Sequence, residues 1–170
     1  MHIAVQIEPA ADSPAAVDYR WDPDTDILTA SLRNGGRGAG MSGSVELTGS
    51  DGSWVILDVA AGNISGVEVA VWPDVRKVSA LNPPADIQDA RVVVPARRSQ
   101  PDIAVVDVDT ALVAEADQAE RTIHFRLGPR RPTKTVRIAR DILLDVDDHR
   151  AIAGLWLLNV PPFPADAADA

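Results

Sequence analysis

The residues that could carry chemistry in this chain fall into scattered groups. Asp22, Asp24 and Asp26 have the alternate spacing that opens a calcium loop. Such a loop needs glycine at its sixth position and glutamate at its twelfth, where this chain has Ile27 and Arg33, and Pro23 stiffens the run. Turn chemistry explains Asp22-Pro23-Asp24-Thr25-Asp26 better, as a hairpin connection. Gly38-Ala39-Gly40-Met41-Ser42-Gly43 satisfies the dinucleotide fingerprint literally. A helix must follow to hold the pyrophosphate, yet Ser44-Val45-Glu46-Leu47-Thr48 reads as a strand, so a loop between strands is expected. His2, His124 and His149 lie far apart, with none of the close spacing of a metal pair. His124 alternates outward on its strand and His149 falls in a turn, so both are expected at the surface, and no metal site or catalytic triad is indicated.

Three further groups carry more weight. Asp58 and Asp145 each close an apolar strand of the same pattern, Val55-Ile56-Leu57-Asp58-Val59 and Ile142-Leu143-Leu144-Asp145-Val146. A twofold arrangement could bring them together as a carboxylate pair sharing a proton, the candidate catalytic residues of the chain. The competing reading is that each accepts backbone N–H bonds beside a turn. The span Arg126 to Arg140 contains Arg130, Arg131, Lys134 and Arg137 and no acidic residue. A hairpin of 122–127 with 134–138 would project Arg126 and Arg137 from one face, where they could hold a phosphate or carboxylate by the bidentate geometry of arginine. The competing reading is a solvated or internally paired surface, the usual state of a charge run. Trp156 and Leu158 stand on the strand face opposite Leu155 and Leu157. A strand apolar on both faces is covered on both, by the rest of the chain or by a second subunit, which makes Trp156 and Leu158 candidate interface residues.

Composition narrows the classes of function. The chain has 170 residues, 46% of them hydrophobic, enough to bury a core. It has no cysteine, which removes disulfides, thiolate metal sites and thiol nucleophiles. A net charge of −9 opposes non-specific binding to nucleic acid or anionic lipid. No apolar stretch approaches the ~20 residues of a membrane-spanning helix, and the opening Met-His-Ile-Ala-Val-Gln-Ile-Glu-Pro lacks the pattern of a secretory signal. A cytoplasmic location is expected, and the dominance of arginine over lysine with abundant Ala, Val and Asp suggests a high-GC bacterial coding sequence.

The elements that must position these residues read as strands. Short runs of Val, Ile, Leu and Thr recur between Gly, Pro, Asp and Asn clusters, near 3–8, 17–21, 27–32, 44–48, 54–59 and 64–72, and again near 91–95, 103–108, 112–116, 122–127, 134–138, 142–146 and 151–158. Ala60-Ala61-Gly62-Asn63 reads as a tight turn. The spacing of Val75, Val78 and Leu81 predicts one short helix over Asp74–Leu81, stopped by Pro83-Pro84. The expected organisation is a first β unit over 1–81, a connector with one or two strands over 82–104, a second β unit over 105–160 and a flexible tail over 161–170.

The two units resemble each other. Residues 17–32 align without a gap on 112–127, and Ile64-Ser65-Gly66-Val67 matches Ile152-Ala153-Gly154-Leu155. An internal duplication is therefore expected, folding as an all-β protein of two meander-like units packed as a sandwich or partly closed barrel with pseudo-twofold symmetry. Tyr19-Arg20-Trp21-Asp22-Pro23-Asp24-Thr25-Asp26-Ile27-Leu28, with Val55-Ile56-Leu57-Asp58-Val59 and Gly66-Val67-Glu68-Val69, resembles the bacterial domain of unknown function 2283 family. The likeness covers about residues 17–81 and, more distantly, 112–160, where Trp156 replaces the glutamate at 68. It implies a small β-rich module, in two diverged tandem copies, of a family with no known activity. Without a catalytic constellation, the expected function is a non-catalytic binding or assembly module that needs no cofactor and forms a homodimer or binds a protein partner. The alternatives are a β-barrel enzyme or carrier for a small hydrophobic ligand, and anion or nucleic-acid binding through the Arg126–Arg140 stripe.

Overall fold

The computed structural model describes residues 3–10, 13–32, 42–95 and 103–164. Among these there is no helix, and fourteen strands form one strongly curled half-barrel sheet. The all-β class is as expected. Alternation sets the faces: Leu28, Ala30 and Leu32 in β3 (Leu28–Leu32) point to the core, as do Val55, Leu57 and Val59 in β5 (Trp54–Ala60) and Ile123, Phe125 and Leu127 in β11 (Ile123–Leu127).

Two groups of five strands have the same order. In the first, β2 (Val17–Trp21) pairs β3, β3 pairs β6 (Asn63–Val71), β6 pairs β5, and β5 pairs β4 (Ser42–Gly49), all antiparallel. In the second, β10 (Leu112–Ala116) pairs β11, β11 pairs β14 (Ile152–Leu157), β14 pairs β13 (Ile142–Asp147), and β13 pairs β12 (Thr133–Ala139), again antiparallel. In each group the chain passes from the second strand over two others to the far edge. The connector supplies β8 (Gln88–Val93), which runs parallel to β12 and bridges to β6 at Asn63, and β9 (Ile103–Thr110), parallel to β4; β1 (Gln6–Pro9) lies antiparallel to β8.

Each group is also strapped by the chain that leaves the other. After β6, β7 (Val75–Lys77) runs parallel to β10, and Val78 N–H donates to the Ala116 carbonyl at 2.9 Å. This replaces the expected helix over Asp74–Leu81. Three spaced apolar residues do not outweigh the cost of nucleating so short a helix, whereas the open edge of β10 offers backbone partners at once. After β14, the Leu158 carbonyl accepts the Tyr19 hydroxyl at 2.8 Å and the Pro161 carbonyl accepts Trp21 Nε1 at 2.8 Å. Phe163 meets Trp21 edge-on at 5.3 Å, Trp21 stacks on Trp72 at 5.7 Å, and Trp72 reaches Phe125 at 5.8 Å. The start of the tail, 161–164, is thus part of the packing rather than a free end.

The turns follow their chemistry. Asp22 Oδ1 accepts the Asp24 N–H at 3.0 Å, and Ala61 and Gly62 take positive φ (49° and 83°) between β5 and β6. One expected pairing is corrected: β11 and β12 do not form a hairpin, because β14 and β13 stand between them. No helix of the described residues is long and apolar enough to cross a membrane.

Replacing Tyr19 by Phe removes the one hydroxyl that ties β2 to the chain after β14. Urea unfolding of Tyr19→Phe is expected to show about 1 kcal/mol lower stability with an unchanged m-value.

Candidate functional site

The two groups differ on their outer faces. In the first, β5 alternates between buried and open positions, with Trp54 and Asp58 exposed. In the second, every residue of β14 is buried and so is β13 up to Val146, so both faces are covered.

The outer cover is a polar cluster built on a bare strand position. Asp145 on β13 stands opposite Gly154 on β14, which stands opposite Arg126 on β11. With no side chain at Gly154, the Asp145 carboxylate crosses β14 and reaches His124 on β11, Oδ2 to Nε2 at 2.8 Å. Its other oxygen accepts the Thr135 hydroxyl at 2.6 Å from β12 and Trp156 Nε1 at 3.2 Å from β14. The His124 ring lies on the Trp156 indole, centroids 4.2 Å apart and planes 30° apart. Burial works to raise the Asp145 pKa, but hydrogen bonds from His124 and Thr135, the charge of His124 and the indole N–H outweigh it and hold the carboxyl below its ordinary range. When the imidazole is neutral, the Asp145 bond places its proton on Nε2 and leaves Nδ1 as the acceptor.

Two members of this cluster, His124 and Asp145, line an open cavity of about 200 Å³ together with Arg126, Arg130 and Arg131. Arg126 Nε donates to the Gly128 carbonyl at 3.1 Å, and among the described residues no carboxylate pairs with it. Arg130 is largely exposed and only loosely matched by Glu115 at 4.0 Å. Arg131 is committed: Nε donates to Asp147 Oδ2 at 2.9 Å, and Nη1 to the carbonyls of Leu127 and Pro129 at 2.7 and 2.9 Å. It pins the connection between β11 and β12 across the strand ends. Asp147 also accepts the N–H groups of His149 and Ala151; burial alone would raise its pKa, and these bonds with Arg131 lower it.

The residues singled out from sequence therefore divide. Arg126, Arg130, Arg131 and Asp145 converge on the cavity. Lys134 does not line it, and Arg137 is engaged elsewhere, 3.7 Å from Asp89 and bonded to the Arg140 carbonyl. Asp58 and Asp145 do not form a pair. Asp58 accepts no side-chain bond from a described residue, and partial burial alone raises its pKa. Yet its register repeats that of Asp145: Asp58 faces Gly66 as Asp145 faces Gly154, and Ser44 faces Asp58 as Thr135 faces Asp145. Thr29 opposite Glu68 occupies the place of His124 opposite Trp156. Trp156 is 6% exposed and shielded within the chain, so it offers no face to a second subunit, and Leu158 is half-buried. His124 is not at the open surface; only 17% of its side chain is accessible. His149 is exposed in its turn, as expected, whereas His2 and residues 38–41 of the glycine run lie outside the described residues. Ser42 and Gly43 begin β4. Sequence reasoning missed the His124–Asp145–Thr135–Trp156 cluster, and the signal that could have found it is Gly154, a bare position inside a strand of large apolar residues.

Compared with protein-family models and with curated proteins, the chain matches none.

A Cβ on Gly154 would lie 2.5 Å from Asp145 Oδ2 and 3.0 Å from both His124 Nε2 and the Phe125 carbonyl. On Gly66 the contacts are longer: Asp58 Oδ2 at 3.1 Å, on an exposed side chain that can swing away, and the Ala30 carbonyl at 3.3 Å. Thermal unfolding should therefore show Gly154→Ala destabilised by about 2–3 kcal/mol and Gly66→Ala by under ~1. Because the Asp145 pKa is lowered on folding, its contribution is full above the ordinary value of 3.8 and fades as pH falls through the folded-state value. The stability gap between the wild type and Asp145→Asn, measured by denaturation from pH 5 down to 2, is expected to narrow as pH falls below about 4.

Proposed function

We propose that the protein binds a small organic anion in the Arg126 cavity. The observation that carries this reading is Arg126 itself, a guanidinium without a carboxylate partner among the described residues, at the rim of a cavity whose floor is already satisfied. Arg131 is offset by Asp147, both oxygens of Asp145 already accept hydrogen bonds, and Arg130 is only loosely matched by Glu115, which leaves Arg126 as the cavity guanidinium to which a ligand carboxylate can bind. A planar carboxylate fits the guanidinium fork. His124, aligned by Asp145, presents a second polar group to the same space.

This reading takes the anion-binding alternative and confines it to a cavity. A nucleic acid is a poorer fit, because a net charge of −9 repels a polyanion and no aromatic residue interleaves the arginine run as a stacking surface. Assembly through Trp156 loses its support with that indole buried. We further infer that the two strand groups descend from one duplicated unit, on the support of their common strand order and the repeated Asp–Gly pairing at 58/66 and 145/154. The second unit then gained His124, Trp156 and Arg126 where the first has Thr29, Glu68 and Ser31.

Titration of the protein with sodium acetate, followed by calorimetry and by the His124 ring resonances, tests the site. Binding is expected to weaken tenfold or more in Arg126→Ala, the loss of a charge-assisted bond of about 1.5–3 kcal/mol, and to be unchanged in Lys134→Ala. Equal binding by Arg126→Ala and the wild type would exclude the cavity as the site.

A further inference from the structure

A second cavity adjoins the first. It has a volume of about 280 Å³, and its lining includes the apolar side chains of Ile3, Leu127 and Ile152, which are 4–5% exposed. Pro129 and Arg131 line both cavities, so the two lie on either side of the connection that Arg131 pins over the strand ends. Leu127 belongs to the core face of β11, and His124 and Arg126 to its outer face. One loop thus stands between a basic, polar space and an apolar one. Of the two carboxylates beside the apolar space, Asp147 has both oxygens engaged, by Arg131 on one side and by the N–H groups of His149 and Ala151 on the other, while Asp109 is exposed at the rim. Neither sets a free charge on the apolar floor.

From this juxtaposition we infer that the ligand is an amphipathic monocarboxylate, its carboxylate held at Arg126 and its short alkyl chain laid past Pro129 and Arg131 onto Ile3, Leu127 and Ile152. The inference rests on the anion reading above and specifies its ligand. Water over an apolar floor gives up its place favourably to a hydrocarbon chain, and each methylene so buried strengthens binding about fourfold. A charged group alone gains nothing from the second cavity.

The test is calorimetric titration of the full chain with acetate, butanoate, hexanoate and octanoate, combined with methyl NMR of the isoleucines. Affinity is expected to climb steadily with chain length, and the δ1 methyls of Ile3 and Ile152 to shift with hexanoate and octanoate but not with acetate. Arg126→Ala should weaken every member of the series by the same factor. Acetate binding that depends on Arg126 while affinity stays flat along the series would overturn the chain assignment and leave the anion site standing. A rise in affinity without shifts of the Ile3 and Ile152 methyls would place the chain elsewhere and also overturn it. Absence of any Arg126-dependent binding would overturn both readings.

Discussion

The outer half of the second strand group depends on one buried carboxylate and the space left for it. Asp145 is taken out of water, and an ionised carboxylate there is costly unless its lone pairs are met. Three donors meet them, from β11, β12 and β14. They can do so only because Gly154 lets the carboxylate cross its strand, so the spacing of four strands, the orientation of His124 and the burial of Trp156 all follow from one missing side chain. In the first group the same aspartate–glycine pair exists without histidine or tryptophan around it. The Asp58 side chain is exposed and accepts no side-chain hydrogen bond from a described residue.

The arginines gain their meaning from this floor. A guanidinium beside an unsatisfied carboxylate would simply pair with it; here Asp145 is already occupied, and the carboxylate nearest the loop, Asp147, is taken by Arg131. Arg131 therefore acts as a structural clamp, while Arg126 retains its charge for solvent or a ligand. Two residues five apart in the same basic run thus have opposite roles, and the division is made by which acid each can reach.

The straps impose a second constraint on the whole chain. Because β7 closes the edge of β10 and the residues after β14 hold Tyr19 and Trp21, neither strand group is complete without chain from the other. The aromatic contacts from Phe163 through Trp21 and Trp72 to Phe125 tie both cores together. An exposed β edge is a liability, and the strap formed by β7 covers that of β10 within one chain.

The sequence by itself determined the local elements. Period-two alternation in Thr122 to Leu127, the Asp-rich and Gly-containing turns, and the repeated pattern ending in Asp58 and Asp145 fix strands, faces and connections, because these depend on neighbours in the chain. It also marked Arg126, Arg130, Arg131 and Asp145. It misjudged the segment at Asp74–Leu81, where three apolar residues have a helical spacing but the open edge of β10 decides the outcome. Strand order was decided only by the tertiary structure: the passage from β11 to β12 over two strands sends Arg137 to Asp89 and brings Asp145, from a strand that is not its neighbour, to His124. Alternation correctly put His124 on the outer face, but whether that face meets water depends on Trp156 and Gly154, thirty residues along the chain. Side chains on strands that are distant in sequence set burial, pairing and charge balance, and those are the properties that make a site.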